Sequence, residues 1–524
     1  MNKDYDVIVV GGGLAGLTST AYLSRYGYHT LLCEKSHKTG GLVNTFWHRG
    51  YAFDAGIRAF ENSGILLPML KSLGLEMEFI QNSVSIGIEN QWTKLGSRDS
   101  LKRYTNLLAS LFPENKSDID KITQEIHKVM DYMDVLYGID NPLFLEDMKD
   151  REYLLKTLLP WLLKYQVNIR KASRLSKPVA DYLKRFTNNQ ALIDMIVQHF
   201  FKDTPTFFAL SYFGLYLDYR YPKGGTGTLA QTVNDNILRT GGEILTDTPV
   251  TRVDTQQKQL HTADGDTYSY KKLVWAADQK SLYSAAGATH TPQVDNQRNL
   301  AEKGHGGDSI LSLFMGVNLD KAYFEVRCGA HGFYTPSTKG LSSLTDWENA
   351  TTEDALFEWV DRYLERTTYE ISCPALRDTT LAPEGKTGII VSTLMNYRLV
   401  RHLSDAGRYD KFKEYCTQKI TEVLDSSVFA GISEMIEFVL CATPLTLERE
   451  TGNAHGAITG WAFTNDKLPA ESRFTKIVNS ITTPINDIYQ CGQWTFSPSG
   501  LPVSVLTGKL AADAIHKSLK GTCA

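Results

Sequence analysis

The sequence predicts an α/β fold: a parallel-sheet domain assembled from pieces far apart in the chain and interleaved with an α+β domain. Three segments carry that expectation. The first is the apolar run Val7-Ile8-Val9-Val10, followed at once by Gly11-Gly12-Gly13-Leu14-Ala15-Gly16. The second is Tyr221-Pro222-Lys223-Gly224-Gly225, and the third is Ile488-Tyr489-Gln490-Cys491-Gly492, each ahead of a helical pattern. Four consecutive apolar residues read as a buried parallel strand. Leu14 to Tyr26 then carries helical spacing, and His29 to Cys33 is apolar enough for a second strand. Gly11 allows the tight turn out of the strand, Gly13 lets a pyrophosphate approach the backbone, and Gly16 lets the helix pack against the sheet. The helix opened by Leu14 and Ala15 points its N-terminus at the phosphate charge. Glu34, ending the second strand, is placed to accept hydrogen bonds from ribose hydroxyls, and its charge repels a 2′-phosphate. A lone GxGxxG is a weak signal, but inside a strand–helix–strand unit with the acid at this distance it is strong.

The segment after the acid selects the dinucleotide. Glu34-Lys35 leads to Gly40-Gly41-Leu42 and then to Phe53-Asp54-Ala55-Gly56-Ile57-Arg58. A plain NAD domain runs from the acid straight into the next helix. Here a second glycine pair lets the backbone pass close to the pyrophosphate and ribityl region, as an extended FAD requires. The expected cofactor is therefore FAD, in a Rossmann-like domain of the glutathione-reductase type. Tyr221 to Thr228 opens an amphipathic helix with Leu229, Val233 and Ile237 on one face. Glu243 to Val253 reads as one strand, whose Val250 and Val253 are placed to hydrogen-bond adenine through the backbone. Near the end, Gly492 forms a turn, and Leu501-Pro502-Val503 starts a helix to about Ile515, with Pro502 where the first turn tolerates it. That N-terminus would face the flavin N1/O2 edge. Either later segment alone is an ordinary αβ turn; their order makes the reading.

On Phe53-Asp54-Ala55-Gly56, Tyr221-Pro222-Lys223-Gly224-Gly225, Thr443-Pro444, Gly492-Gln493-Trp494 and Gly500-Leu501-Pro502, the chain resembles the phytoene desaturase, carotenoid isomerase and retinol saturase branch of FAD-dependent oxidoreductases over essentially its full length. Two places depart from that branch. Arg58 stands where a small residue, Pro or His is usual, and Ser497-Pro498-Ser499-Gly500 where many relatives are richer in glycine. The resemblance implies an enzyme acting on CH–CH or C=C groups of a lipophilic polyene such as a carotenoid or retinoid, by desaturation, saturation or cis–trans isomerisation. A long-chain unsaturated acid joins the substrates if Arg58 clamps a carboxylate. Two alternatives stay open: a flavin amine oxidase sharing the cofactor motifs, and a non-catalytic prenyl-binding escort protein of the same fold.

The length of 524 residues gives a prior of about three domains. The flavoprotein reading replaces this with two: residues 1–75, 218–300 and 480–524 as the FAD domain, and 76–217 (mostly helical) with 301–479 as the substrate domain. Ile119 to Tyr137 and Asp181 to Phe201 read as helices, and Ser309 to Val317 and Gly388 to Ser392 as strands. A net charge of −4 gives no electrostatic reason for a nucleic-acid partner. Seven scattered cysteines form no CxxC pair and accompany no metal-like His spacing, so no metal is expected. Their odd number, with a first strand starting by Asp6, points to the reducing cytoplasm without a presequence. No run reaches the roughly eighteen apolar residues of a spanning helix. One segment stands out: Tyr153 to Leu163 is strongly apolar, flanked by Arg151, Lys156, Lys164, Arg170, Lys171 and Arg174, with only Glu152 opposing. Residues 151–174 therefore read either as a helix in an anionic membrane interface, peripheral on the inner face, or as a helix over the substrate cavity. Pro160 is expected to kink or break it.

Flavins carry the hydride chemistry while the protein orients and tunes it, and no acid–base dyad is visible. Arg58 and Glu61, just after the Asp54-Ala55-Gly56 turn, are the catalytic candidates, with Trp494 as a ring to stack near flavin or substrate. Arg58 would stabilise anionic flavin or bind a polar head group, or else pair with Glu61 three residues on. Glu448, Arg449 and His455 are read as mainly structural, and Ser497 and Ser499 as caps of the last helix. Most aromatics of the segment 199–213 belong to ordinary core, with some lining a long apolar pocket. A single dinucleotide fingerprint argues against a dedicated NAD(P)H domain. The electron donor or acceptor stays open between a quinone, oxygen and a separate reductase.

Overall fold

The computed structural model describes residues 3–145, 152 and 154–521; Arg151, Tyr153 and Cys523 lie outside them. Lys3–Val10 runs parallel to Thr30–Cys33 on one side and to Thr267–Trp275 on the other. Glu243–Leu245 adds a parallel strand beyond Thr30–Cys33, and Ile488–Gln490 pairs in parallel with the end of Thr267–Trp275. Strands from three distant parts of the chain thus share one sheet. Because side chains alternate along a strand, Val7 and Val9 enter one core with the helices Leu14–Arg25, Gly227–Arg239 and Leu501–Gly521. Ile8 and Val10 enter another, with Val253, Leu260 and Leu282. Burial on both faces is why the strand is apolar without a break. Leu229, Val233 and Ile237 are buried as the helical spacing requires.

The stretch Glu243 to Val253 is two strands, not one. Asp247 adopts a left-handed φ of 51°, its amide donates to the Ser36 carbonyl and that of Thr248 to the Glu34 carbonyl, and Pro249 has no amide to donate. The chain turns there, and Val250–Asp254 pairs with Gln259–Thr262 instead.

A second seven-stranded sheet runs in the order Ile436–Ala442, Ser309–Val317, Thr387–Met395, Tyr369–Ser372, His331–Thr335, Val84–Ile88, Gln91–Leu95. Its last two strands come from the stretch expected to be mostly helical, where Val84, Ile86 and Ile88 alternate with Ser85 and Gly87. One face of the sheet, with Leu311, Leu313, Ile371, Ile389 and Val391, packs under the helices Glu353–Leu364, Tyr397–Asp405 and Tyr409–Asp425. The opposite face carries Ser312, Phe314, Ile390, Ser392, Glu370, Ser372, His331 and Phe333, in register across neighbouring strands. Phe314 on that face packs with Tyr51 and Phe53 of the hairpin Thr45–His48/Tyr51–Asp54, so it looks toward the first sheet.

Helices Leu101–Leu111, Lys116–Tyr137, Gln190–Val197 and Thr206–Asp218 build a third core beside it. The expected single helix from Asp181 to Phe201 is two pieces, Val179–Leu183 and Gln190–Val197. Asn189 starts the second, its side chain accepting from the Leu192 amide at 3.2 Å. Pro160 breaks nothing: a π-helical turn at Leu154–Leu158 leads into the α-helix Leu159–Ser173, and Pro160 sits in its first turn. The last helix continues past Ile515 to Gly521.

Candidate functional site

The glycine turn is built as a cradle. Gly11 has φ +104°, and a Cβ on Gly16 would lie 2.0 Å from the Gly11 carbonyl oxygen, so neither position accepts a side chain. A Cβ on Gly13 would meet nothing within 4 Å, which leaves open space beside the start of the helix at Leu14 and Ala15. Glu34 accepts from the Gly12 amide through Oε2 at 2.6 Å and from the Ser36 amide through Oε1 at 2.9 Å. Its carboxylate is thus fixed beside the turn. The Gly40 amide donates to the Gly12 carbonyl at 2.7 Å, so Gly40-Gly41 lies directly on the first turn. From there Leu42 accepts from the Ile57 amide at 3.0 Å, carrying the line to Gly56 and Arg58. Gly492 closes the other side: a Cβ there would be 3.3 Å from that of Ala15, and its amide donates to Thr507 of the last helix at 2.9 Å. Leu501, Pro502 and Val503 form that helix's first turn. The open space beside Gly13, with the Glu34 carboxylate and the Gly40-Gly41 turn against it, fits the pyrophosphate and ribose of an extended FAD, and the line of contacts through Leu42 to Gly56 and Arg58 gives its direction.

Other expected contributors lie differently. Lys35 donates to the Arg449 carbonyl at 2.8 Å. Val253 pairs with Leu260 with its side chain in the core, whereas Val250 stands beyond a bulge at the ladder's end. Asp54 is fully buried. Its Oδ1 accepts from Thr45 Oγ1 at 2.8 Å, the Thr226 amide at 2.8 Å and Thr226 Oγ1 at 2.9 Å. Its Oδ2 accepts from the Tyr221 hydroxyl at 2.8 Å. The carboxylate is a tie between segments, fully engaged with protein donors.

The line ends at a buried cluster of charge. Arg58 is 2% exposed; it donates to the Asp54 and Gly56 carbonyls and, at 3.1 Å, to Ser392 Oγ. Burial lowers its pKa, opposed first by the charge of Glu370. Among the described residues no ion pair joins Arg58 to Glu61. Arg377 lies 3.8 Å over the Tyr221 ring and donates to the Arg58 carbonyl at 3.0 Å. Glu370 accepts from His331 at 2.8 Å. Burial raises its carboxyl pKa, but the His331 hydrogen bond and the nearby Arg58 and Arg377 outweigh that and hold it low. His331 is itself lowered by burial. Glu61 is 8% exposed, and burial pushes its carboxyl up to about 7, with Asp218 adding to the rise. His199 has both ring nitrogens buried without a hydrogen-bond partner among the described residues. It lies 5.3 Å from the Phe333 ring, and burial drops its pKa to about 4.

Trp494 takes no part in this site. Its ring is 2% exposed, its Nε1 donates to Asn453 Oδ1 at 3.1 Å, and it packs edge-on against Trp461. The turn after Ile488–Gln490 directs it into the core behind the first sheet. Ser499 does not cap the last helix either: its hydroxyl donates to the Thr459 carbonyl at 2.6 Å. Ser497 is buried, with its amide on the Glu471 carbonyl. Glu448 accepts from Tyr397, Arg401 and the His455 amide, and Arg449 pairs with Glu450, all structural contacts. An open surface hollow of about 590 Å³, lined by Tyr283, Gln297, Glu471, Arg473 and Gln490, involves none of the cofactor cradle or the Arg58 cluster. Sequence reasoning missed Glu370, His331, Arg377 and His199. The only signal for the first was a carboxylate inside an otherwise strand-forming run, Tyr369-Glu370-Ile371-Ser372.

The family model for flavin containing amine oxidoreductase matches residues 14–516. An all-trans-retinol 13,14-reductase of Danio rerio is 22% identical, covering 94% of this chain and 82% of that protein. A chloroplastic prolycopene isomerase of Daucus carota is 22% identical, covering 99% of this chain and 81% of that protein. Among solved structures, a putrescine oxidase superposes with a TM-score of 0.61 at 11% identity, covering 99% of this chain and 100% of the other.

Glu61 makes stability depend on pH. Its folded pKa of about 7 exceeds its ordinary 4.5, so between those values the folded state holds a proton the unfolded chain has released. Stability therefore falls as pH rises through that window. Glu61→Gln removes the loss. Urea melts should show the variant about 3 kcal/mol more stable than wild type at pH 8 and equal to it at pH 4; a difference that does not change with pH contradicts this.

Proposed function

This chain belongs to the flavin containing amine oxidoreductase family and uses FAD, and from that premise we propose that it acts on carbon–carbon double bonds of a lipophilic polyene of the carotenoid or retinoid kind. Bound FAD supplies two-electron hydride exchange with carbon. The chain's residues do the rest. The helix N-terminus at Leu14 and the backbone of Gly13 receive the pyrophosphate, and Glu34 takes the ribose hydroxyls. Arg58 places a fixed positive charge at the far end of the line of contacts, where it stabilises negative charge without reorganising.

The observation that carries the reading is the face of the second sheet opposite Arg58. Phe314, Ile390 and Phe333 alternate there with Ser312, Ser392, Ser372, His331 and one carboxylate, Glu370, and those polar groups are already paired with one another or with Arg58 and Arg377. A face whose polar groups are spent on protein partners and whose other side chains are apolar favours an apolar ligand over a small polar one. The names of the two sequence relatives, a retinol reductase and a prolycopene isomerase, support the same class. The test is anaerobic. Oxidised protein and photoreduced protein are each mixed with polyenes, retinoids, unsaturated acids and amines. Flavin reoxidation by a polyene with a product two mass units heavier identifies saturation, polyene-dependent reduction of oxidised flavin identifies desaturation, and geometric change without net redox identifies isomerisation. Reaction with amines alone overturns the proposal.

An exposed helix supplies the entrance for such a substrate. Leu155, Leu159, Leu162, Leu163 and Val167 follow helical spacing along Leu154–Ser173 and stand open to solvent, with Leu163 67% exposed. Only Leu158, Ile169 and Ala172 of this stretch are buried. Among the described residues, then, the helix does not cover a cavity with its apolar stripe. Lys156, Lys164 and Lys171 flank that stripe, the pattern of a helix lying in an anionic lipid surface. No helix among the described residues is long and apolar enough to cross a membrane. Co-sedimentation with phosphatidylglycerol vesicles should be strong for wild type and at least tenfold weaker for Leu159→Asp/Leu163→Asp. Equal binding by both overturns the assignment.

A further inference from the structure

We propose that Glu370 is the residue that gives or takes the proton accompanying hydride exchange, and that His331 and Asn82 position it; this deepens the polyene reading and rests on it. Desaturation and saturation each move two hydrogens with unlike charge. When a double bond forms, one C–H bond breaks with its electron pair going as hydride to oxidised FAD. The neighbouring C–H bond breaks with its pair becoming the new π bond, and that proton needs a base. Saturation reverses both transfers: hydride comes from reduced FAD and the proton from an acid. In isomerisation one group adds and later removes the same proton, with no net redox. FAD handles the hydride, and the chain must handle the proton.

Glu370 is built for that task. It sits in the middle of the second sheet, opposite Ser392 on one side and Phe333 on the other, on the face that looks toward Arg58. Despite that position its side chain is 31% accessible, while its partner His331 is 1% accessible. The carboxylate therefore opens into the space before the sheet, and the imidazole lies behind it. Only Oε1 is hydrogen-bonded, to His331 Nε2 at 2.8 Å; among the described residues Oε2 accepts nothing and faces that space.

His331 is fixed in turn. Its Nδ1 lies 3.2 Å from Asn82 Nδ2, and its ring stacks on Tyr219 with centroids 5.6 Å apart. With the Asn82 amide donating to Nδ1, the ring proton is on Nε2 and is donated to Glu370. The surrounding charged and titratable groups are Arg58, Arg377, Asp54, Tyr216, Tyr219 and Tyr221. The two guanidiniums stabilise the carboxylate, and none of the tyrosines ionises near neutral pH, because burial drives their pKa values up. Glu370 is thus the ionised group of the cluster that is open to the space before the sheet and has an oxygen free to accept a proton.

The experiment follows single-turnover exchange between holoprotein flavin and whichever polyene reacts, from pH 3.5 to 8, in wild type, Glu370→Gln, Glu370→Asp and His331→Asn. Glu370→Gln should slow the step at least ~100-fold while leaving flavin and polyene dissociation constants within threefold. Glu370→Asp, which keeps an acid, should retain more rate than Glu370→Gln and stands in if the latter fails to fold. His331→Asn should move the pH midpoint upward, because it removes the hydrogen bond that favours the carboxylate, an effect a purely structural role would not produce. Independently of turnover, ¹⁵N-histidine NMR of oxidised holoprotein should show His331 protonated on Nε2, with that resonance shifted in Glu370→Gln. Rates within threefold for both Glu370 variants, or an unmoved midpoint in His331→Asn, overturn the assignment while leaving the polyene reading intact. Reaction of wild type with amines alone overturns both.

Discussion

The Asp54 carboxylate is the constraint on which the site depends. It has no exposed surface, and it draws donors from two separated segments, at Thr45 and at Tyr221 and Thr226. A carboxylate buried there without donors would be costly, so these hydrogen bonds hold the segments together. That fixes how the chain leaves the strand Tyr51–Asp54. The next four residues carry Arg58, whose guanidinium returns to the Asp54 carbonyl and reaches across to Ser392 of the second sheet. Arg377 stacks on the same Tyr221 that donates to Asp54, and donates to the Arg58 carbonyl. Two buried cations thus lie near two carboxylates, Asp54 and Glu370, and each of the four is separately held by hydrogen bonds to other protein groups.

The second determinant is the pleat. The strand Lys3–Val10 buries apolar side chains on both faces, as a parallel strand with layers above and below must. The strands Ser309–Val317, Thr387–Met395 and Tyr369–Ser372 are just as deeply placed, but only their helix-facing side chains are mainly apolar. Their other side chains include Ser312, Ser392, Ser372 and Glu370, and these polar groups bond one another or Arg58, Arg377 and His331. A sheet face that is buried yet polar requires partners, and Arg58 from the turn after Asp54, Arg377 and the neighbouring His331 supply them.

Legibility in the sequence divides along the same line. The glycine turn, Glu34 and the second glycine pair are legible because each is a local constraint. The left-handed φ of Gly11 and the acid placed one helix later both lie within a single strand–helix–strand unit. Arg58 and Glu61 were within reach because they come soon after Gly56, but their partners were not. The Arg58–Glu61 pairing expected from their three-residue spacing presumes a helix, and neither lies in one. Arg58 instead faces residues brought in by the second sheet, and Glu370, His331 and Asn82 meet only through strand register. Trp494 misled for the opposite reason. It stands two residues from Gly492, yet the turn directs its ring into the core against Trp461. The strand divided at Asp247 shows the limit of apolar patterning, since one left-handed residue and one proline redirect a segment that alternates acceptably throughout.

A crystal structure of the flavin-loaded protein tests the arrangement most directly. The pyrophosphate should lie beside Gly13 and Gly40 and the ribose hydroxyls on Glu34. The isoalloxazine ring should lie beside the 54–58 turn, before the sheet face bearing Glu370, with Glu370 Oε2 open to the space beside it. A ring held elsewhere, or a Glu370 side chain sealed away from the space in front of the ring, would contradict this arrangement.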